Sequence, residues 1–335
     1  MDPSNPASFN HRTERLYTGN TYHFVDQLPE DYDPRRTPTI LLVHGFPDLW
    51  YGWRYQIGPW VRRGCRVIAP DMLGYGGSSK PVEAESYSTK KLCADLVALL
   101  DLLGVRRTIL IGHDWGSFTV GRFALWHPER LHALVMLSVP YSPPSREYLP
   151  LEEVARRAPD LGYQLYFASS KSSYEILAHL QKFLRCTYCP PDAAVPYHKT
   201  GLLENLLLHE PEKKLPSLLN EQELEYYASQ FSQGMFGPLN YYRTSKFRHD
   251  EELAAGLGAN LREDLPVLFL WGTKDRTAVP FVIAKSRKFI GRYQDFALED
   301  RGHWLMVEAK NDVTITIANW LENLTCNRPD RQGKL

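Results

Sequence analysis

The stretch Arg107-Thr108-Ile109-Leu110-Ile111-Gly112-His113-Asp114-Trp115-Gly116-Ser117-Phe118 decides how the rest of the chain is read. Thr108 to Ile111 is a short β-branched apolar run, the pattern of a buried parallel strand. After it, Val120, Phe123, Ala124 and Trp126 suggest a helix. Gly112 and Gly116 bracket Asp114 between the two. A sharp strand-to-helix turn needs such glycines, because a Cβ on either side would crowd the helix against the strand. A turn of this kind is a nucleophile elbow, which presents its central side chain at the carboxyl end of the strand. A carboxylate in that place, with a pKa near ~4, is already charged at neutral pH. It can displace a leaving group from sp³ carbon, and the resulting ester carries a carbonyl that water can attack. The plainer reading, an Asp that caps the following helix, requires no glycine on either side.

Outward from the elbow, strands and helices alternate. Upstream, Tyr22 to Val25 reads as a first edge strand after a loose lead-in over residues 1–20. Thr39 to Val43 is a second strand, cut off by His44-Gly45-Phe46-Pro47, and Arg66 to Ala69 is a third. A helix from about Thr89 to Leu103 carries Leu92, Leu96, Leu99, Leu100 and Leu103 on one face, with Gly104 as its stop. Downstream, Leu134 to Val139 is another short strand. From Tyr141 to about Gly258 no good strand appears. Strands resume at Val267 to Trp271 and Gln294 to Leu298, before a last helix over Glu308 to Asn323. The pattern predicts an α/β fold with a doubly wound, mostly parallel sheet. A crossover loop rarely exceeds ~15 residues, so residues 141–258 are expected to form an inserted helical cap. Residues 1–140 and 259–335 form the core, and the cap roofs the strand ends where such sheets bind ligands.

Composition narrows the function. The 335 residues are 43% apolar, enough for a large core, and 39 basic residues balance 39 acidic ones. That neutrality does not favour nucleic acid or an anionic membrane as partner. No apolar run approaches the ~18 residues of a membrane span, and no secretion signal opens the chain. Cys186 and Cys189 form a lone C-x-x-C without a second pair at zinc spacing, so they read as ordinary thiols rather than metal ligands. Neither a metal nor a cofactor is expected, and the thiols fit a cytoplasmic protein. The final Gly333-Lys334-Leu335 is one residue from a peroxisomal ending, and the basic run Arg328 to Lys334 reads as a solvated tail.

Two further groups complete a constellation. The strand ending at Trp271 runs into Gly272-Thr273-Lys274-Asp275, and the strand ending at Leu298 runs into Glu299-Asp300-Arg301-Gly302-His303-Trp304. Both therefore reach the same rim as Asp114, in the chain order nucleophile, acid, histidine. His303 would take a proton from water while Asp275 holds the imidazole in its accepting tautomer. Glu299 and Asp300 are rival partners, less suited to orient a ring from the same loop. Backbone N–H groups of Trp115 and Phe46 are the natural oxyanion donors. A cis Phe46–Pro47 bond would give a sharp turn that aims the Phe46 amide inward.

Four segments together extend beyond this constellation: His44-Gly45-Phe46-Pro47, Gly112-His113-Asp114-Trp115-Gly116, Tyr163-Gln164-Leu165-Tyr166-Phe167, and Pro238-Leu239-Asn240-Tyr241-Tyr242-Arg243. In these the chain resembles the soluble α/β-hydrolase-fold epoxide hydrolases from about residue 20 to 323. The resemblance implies that an epoxide is the small-molecule substrate and that two cap phenols, Tyr163 and Tyr242, donate to its oxygen. Tyr166 and Tyr241 are their alternatives, since a one-turn or one-residue offset changes which faces the cavity. It also implies a pocket involving His44, Pro47, Gln164, Tyr166, Tyr241 and Trp304, with Phe46 and Trp115 on the acyl side. The chain departs from the family at Tyr241, where Trp is usual. A haloalkane or haloacid dehalogenase shares the Asp nucleophile, but the cap contains no Trp and position 46 is Phe rather than Asn. A hydrolase specific for one natural-product epoxide, and a non-catalytic receptor, are the other readings. The protein is expected to be a monomer or homodimer.

Overall fold

The computed structural model describes residues 1–212, 214–278 and 280–326. Eight strands form one sheet: β1 (His11–Arg15), β2 (Thr21–Gln27), β3 (Thr39–Val43), β4 (Arg66–Pro70), β5 (Thr108–His113), β6 (Leu131–Leu137), β7 (Pro266–Gly272) and β8 (Arg292–Leu298). Their order is β1-β2-β4-β3-β5-β6-β7-β8. The pairings of β1 with β2 and β2 with β4 are antiparallel, and all the others are parallel. Every residue of β3, β4 and β5 is buried, as expected where helices cover both faces of a parallel sheet. Helices α1 (Arg54–Arg62), α2 (Thr89–Leu102) and α3 (Trp115–Trp126) cross between the first parallel strands. Of these, α2 packs on α3, while α1 packs against a later helix near the end of the chain.

Between β6 and β7 the chain leaves the sheet. Residues 151–254 contain α4 (Leu151–Arg157), α5 (Tyr163–Ala168), α6 (Ser172–Ala178), α7 (Leu180–Thr187), α8 (Leu202–Leu208), α9 (Glu221–Phe231), α10 (Phe236–Asn240) and α11 (Ser245–Ala254). Among the described residues of this insertion no strand joins the sheet. After β7 come α12 (Pro280–Ser286), then, beyond β8, α13 (Leu305–Glu308) and α14 (Lys310–Cys326). No helix among the described residues is long and apolar enough to cross a membrane.

The insertion is fastened to the core by buried polar contacts. Tyr227 of α9 donates its hydroxyl to Asp48 Oδ1 at 2.6 Å, and Tyr188, just past α7, donates to the Pro47 carbonyl at 2.8 Å. The Asp48 carboxyl is buried, which pushes its pKa up in spite of these donors. Arg54 of α1 reaches Glu223 of α9 at 2.7 Å, with both side chains almost fully buried. Breaking such a pair leaves a buried charge uncompensated, a cost of about 3–5 kcal/mol.

Three sequence expectations need correction. Residues 11–15 are an edge strand, not a loose lead-in, so Tyr22 to Val25 belongs to the second strand. The His-Arg-Thr-Glu-Arg strand β1 has no apolar alternation because it is held to β2 by backbone pairing and by polar side-chain contacts, His11 with His23 and Arg12 with Asp26. β6 begins at Leu131, three residues before the expected start. Helix α1 was not anticipated, because its Gly58 and Pro59 interrupt any helical pattern. The carboxyl-terminal Gly-Lys-Leu and the basic run at 328–334 lie outside the described residues.

The order of strands reverses between β3 and β5, which places a switch point of the sheet where Phe46 follows β3 and Asp114 follows β5. Here α3 runs hard against the end of β3: a Cβ built on Gly116 would lie 2.0 Å from the Val43 carbonyl oxygen. Gly116→Ala should therefore destabilise the protein by about 2–4 kcal/mol, read as a lower denaturation midpoint with an unchanged m-value.

Candidate active site

Asp114 sits at the elbow with φ 55° and ψ −120°, a backbone region that a residue with a Cβ rarely enters. Its side chain makes no capping bond to α3, so the plain helix-cap reading does not hold. Instead Oδ1 accepts the Phe46 N–H at 2.8 Å. The Phe46–Pro47 bond is cis. A Cβ on Gly45 would fall 2.4 Å from that same oxygen, which is why the residue before Phe46 has no side chain. The Trp115 N–H is the first of α3 and so has no intrahelical partner.

His303 stands beside Asp114. Its Nε2 is 3.4 Å from Asp114 Oδ2, and its Nδ1 is 2.8 Å from Asp275 Oδ2. Asp275 is oriented in turn by Thr277, whose N–H and hydroxyl both donate to Oδ1, at 2.8 and 2.7 Å. The backbone on either side of His303 is clamped by Glu308, which accepts the Gly302 N–H at 2.6 Å and the Trp304 N–H at 2.8 Å. The His303 carbonyl takes hydrogen bonds from the His113 ring and the Ser138 hydroxyl, each at 2.8 Å. Glu299 and Asp300 are exposed, and Asp300 pairs with Lys274, so neither rival is engaged with the imidazole.

The charges of this group hold one another. Burial opposes the imidazolium, but Asp275 and Asp114 outweigh it and raise His303 well above its ordinary pKa. Burial would also raise Asp114, yet the hydrogen bond and charge of His303, helped by the Phe46 amide, leave it lowered. Asp275 is lowered too, against its burial, by the charge of His303 and the Thr277 donors.

These groups open onto a cavity of about 770 Å³, counting its mouth. Phe46, Pro47, Tyr163, Tyr242 and Trp304 line it with Asp114 and His303. The Tyr163 and Tyr242 rings lie 6.4 Å apart, and Tyr242 packs edge-on against Trp115 at 5.1 Å. Burial, then the charge of Asp114, raises the Tyr163 phenol; Tyr242 is raised chiefly by burial. Four residues expected in the pocket do not line it. His44 is turned into the core, where its Nδ1 donates to the Gly45 carbonyl and its Nε2 accepts the Met72 N–H, both at 2.9 Å. Tyr241 donates its hydroxyl to the Leu73 carbonyl at 3.0 Å, tying the cap to the core. Tyr166 is buried inside the cap near Glu175. Gln164 lies next to the Tyr163 phenol but off the cavity wall. Trp115 supports Tyr242 from behind rather than forming the wall. Residues not anticipated include Phe167, Tyr197 and His198 on the wall and the supports Thr277, Glu308 and Ser138. Only Thr277 left a trace in the sequence, as the second residue after a strand-end Asp that can bond back to it.

The family model for the α/β hydrolase fold matches residues 38–310. The chain is 33% identical to "Epoxide hydrolase A" of Mycobacterium tuberculosis over 93% of its own length and 98% of that protein's. The chain belongs to the α/β-hydrolase-fold epoxide hydrolase family. It is also 33% identical to the mouse "Bifunctional epoxide hydrolase 2", of which it spans 57%. The crystal structure of epoxide hydrolase A from Mycobacterium thermoresistibile superposes with a TM-score of 0.81 at 32% identity, covering 94% of this chain and 98% of that one. The expected α/β fold with a mostly parallel sheet is met.

A raised histidine stabilises the folded state fully below its unfolded pKa, and that contribution is lost as pH climbs through the folded value. The two lowered carboxylates contribute above ~4 and lose their share as pH falls. The stability gap between the natural protein and a His303→Gln variant should therefore be widest between about pH 4 and 6.5. It should narrow at higher pH in paired denaturation curves; a gap that widens with pH would contradict the assigned charges.

Proposed function

We propose that this chain hydrolyses epoxides to vicinal diols through a covalent ester on Asp114. One observation carries the reading: a pre-ionised carboxylate at a strained elbow faces two buried phenols across a single cavity. Asp114 Oδ2 attacks a ring carbon, the C–O bond breaks, and its electron pair goes to the epoxide oxygen. Tyr163 and Tyr242 polarise that oxygen beforehand and supply the proton it takes. A free alkoxide is a poor leaving group, and phenols can assist it without charging an apolar pocket. Their raised pKa keeps both phenols protonated at neutral pH, so each meets the epoxide oxygen as a donor.

Alkylation also resets the base. Once Asp114 is a neutral ester, His303 loses one of the two anions that hold its proton, so its pKa falls when a neutral imidazole is needed. The freed proton can restore the phenol. Nε2 then takes a proton from water, the hydroxide attacks the ester carbonyl, and the oxyanion at Oδ1 is met by the Phe46 and Trp115 N–H groups. One such donor is typically worth ~10²–10³ in turnover. Collapse releases the diol as His303 returns its proton to the departing oxygen. No step calls for a metal or cofactor. The relatives named epoxide hydrolase and the two phenols both favour this reading over halide displacement.

His303→Gln should form the ester and fail to release it, seen in the intact protein as a mass increase equal to the substrate. A single turnover in heavy-oxygen water should leave the label in Asp114 and give unlabelled diol; label in the first diol formed would mean water attacks the epoxide directly. Replacing both Tyr163 and Tyr242 with Phe should lower the rate of ester formation by at least ~10², measured in rapid-mixing experiments.

A further inference from the structure

The two phenols on the cavity wall come from different parts of the cap. Tyr163 opens α5, and Tyr242 sits in the short turn Tyr241–Arg243 that follows α10. Two donors that serve one oxygen atom must be held to within about 0.5 Å of the productive geometry. The residue next to Tyr242 makes the tie. Arg243 Nε donates to the Ala168 carbonyl at 3.3 Å and Nη2 to the Ser169 carbonyl at 2.8 Å, both at the far end of α5. Nη2 also reaches the hydroxyls of Ser173 and Ser172 at 3.0 and 3.3 Å, at the start of α6. Nη1 donates to Asn240 Oδ1 at 3.0 Å, and the guanidinium lies 4.9 Å over the Phe236 ring. Every one of these oxygens is neutral, and burial lowers the Arg243 pKa. A half-buried cation held by neutral oxygens gains little stability from its charge. What its fork supplies is a fixed distance between the end of α5 and the turn that carries Tyr242.

We propose that Arg243 is a positioning residue for ring opening, which sets the separation and aim of Tyr163 and Tyr242. The proposal rests on the epoxide-opening reading and adds a residue to it. Arg243 does not line the cavity, so its effect on the reaction passes through the phenols. Phe167 of α5 packs 5.4 Å from the Tyr163 ring and 4.9 Å from the Tyr242 ring, and a shift of α5 would therefore move the three rings together. Trp115 steadies Tyr242 edge-on from α3. Ring contacts of this kind tolerate sliding, whereas hydrogen bonds weaken steeply once misaligned. The planar fork of Arg can hold several acceptors in one geometry, and the single ammonium of Lys cannot.

The test separates the two chemical steps by rapid mixing with styrene oxide. Arg243→Met keeps the bulk and removes the donors. It should slow ester formation about tenfold to a hundredfold and leave the rate of ester hydrolysis unchanged. Arg243→Lys should fall between this variant and the natural protein. In a background where Tyr163 and Tyr242 are both Phe, Arg243→Met should cost nothing further, because residues acting through one another are not additive. Equal slowing of both steps, or the same loss in the background without the phenols, would overturn the assignment. If Arg243→Met does not fold, Ser173→Ala removes one acceptor and decides the matter alone. Slower ester formation with unchanged ester hydrolysis would support the role, and two unchanged rates would overturn it. Failure of the natural protein to form either ester or diol would instead count against the epoxide reading itself.

Discussion

A proton held between two buried carboxylates is the interaction on which the rest of the site depends. His303 can carry it only because Asp275 and Asp114 lie on either side of its ring. Those carboxylates tolerate burial only because the imidazolium and a few aimed N–H groups compensate them. An isolated buried charge would cost far more than one residue could recover. Each support follows from that balance. Thr277 fixes one face of Asp275, Glu308 grips the backbone flanking His303, and the Phe46 amide meets the other carboxylate. Since the arrangement rests on three charges that offset one another, neutralising any one changes the other two. That is the property a two-step reaction can use.

The position of Asp114 comes from packing rather than from its own preferences. β5 and β3 lie side by side, and α3 must turn back over them within a few residues. Gly116 permits the contact with the end of β3, and the φ of Asp114 is its conformational cost. Strain of this kind persists where surrounding structure over-determines it, and here a sheet buried on both faces does so.

Much of this was legible in the sequence, for identifiable reasons. Apolar runs such as Thr39–Val43 and Thr108–Ile111 announce buried strands because both of their faces are covered. Asp114, Asp275 and His303 were expected on one rim because each follows a strand end, and their side chains do meet there. Other features left no signal. β1 is held by backbone pairing with polar side chains, so hydrophobic periodicity passes over it. His44, Tyr166 and Tyr241 have the chemistry of pocket residues, yet a turn of the backbone sends each into the interior, and residue type does not encode that direction. Glu308, which grips Gly302 and Trp304, ends the short α13, and a break at Ala309 separates that helix from the long α14, a boundary that periodicity alone blurs.

The roof and the floor of the cavity are not independent parts. Tyr188 donates to the Pro47 carbonyl, one residue after the amide that meets Asp114, and its ring stacks on Trp304, one residue after the histidine, at 4.1 Å. The indole N–H of Trp304 donates to Thr187 at 2.7 Å, and Tyr227 anchors to Asp48 from a second cap helix. Grafting a roof from a relative onto this floor, as an engineer might to change selectivity, would therefore alter the alignment of Asp114, His303 and the Phe46 amide as well as the cavity shape. Chimeras of this family are best joined so that positions 47, 48, 188, 227 and 304 travel together.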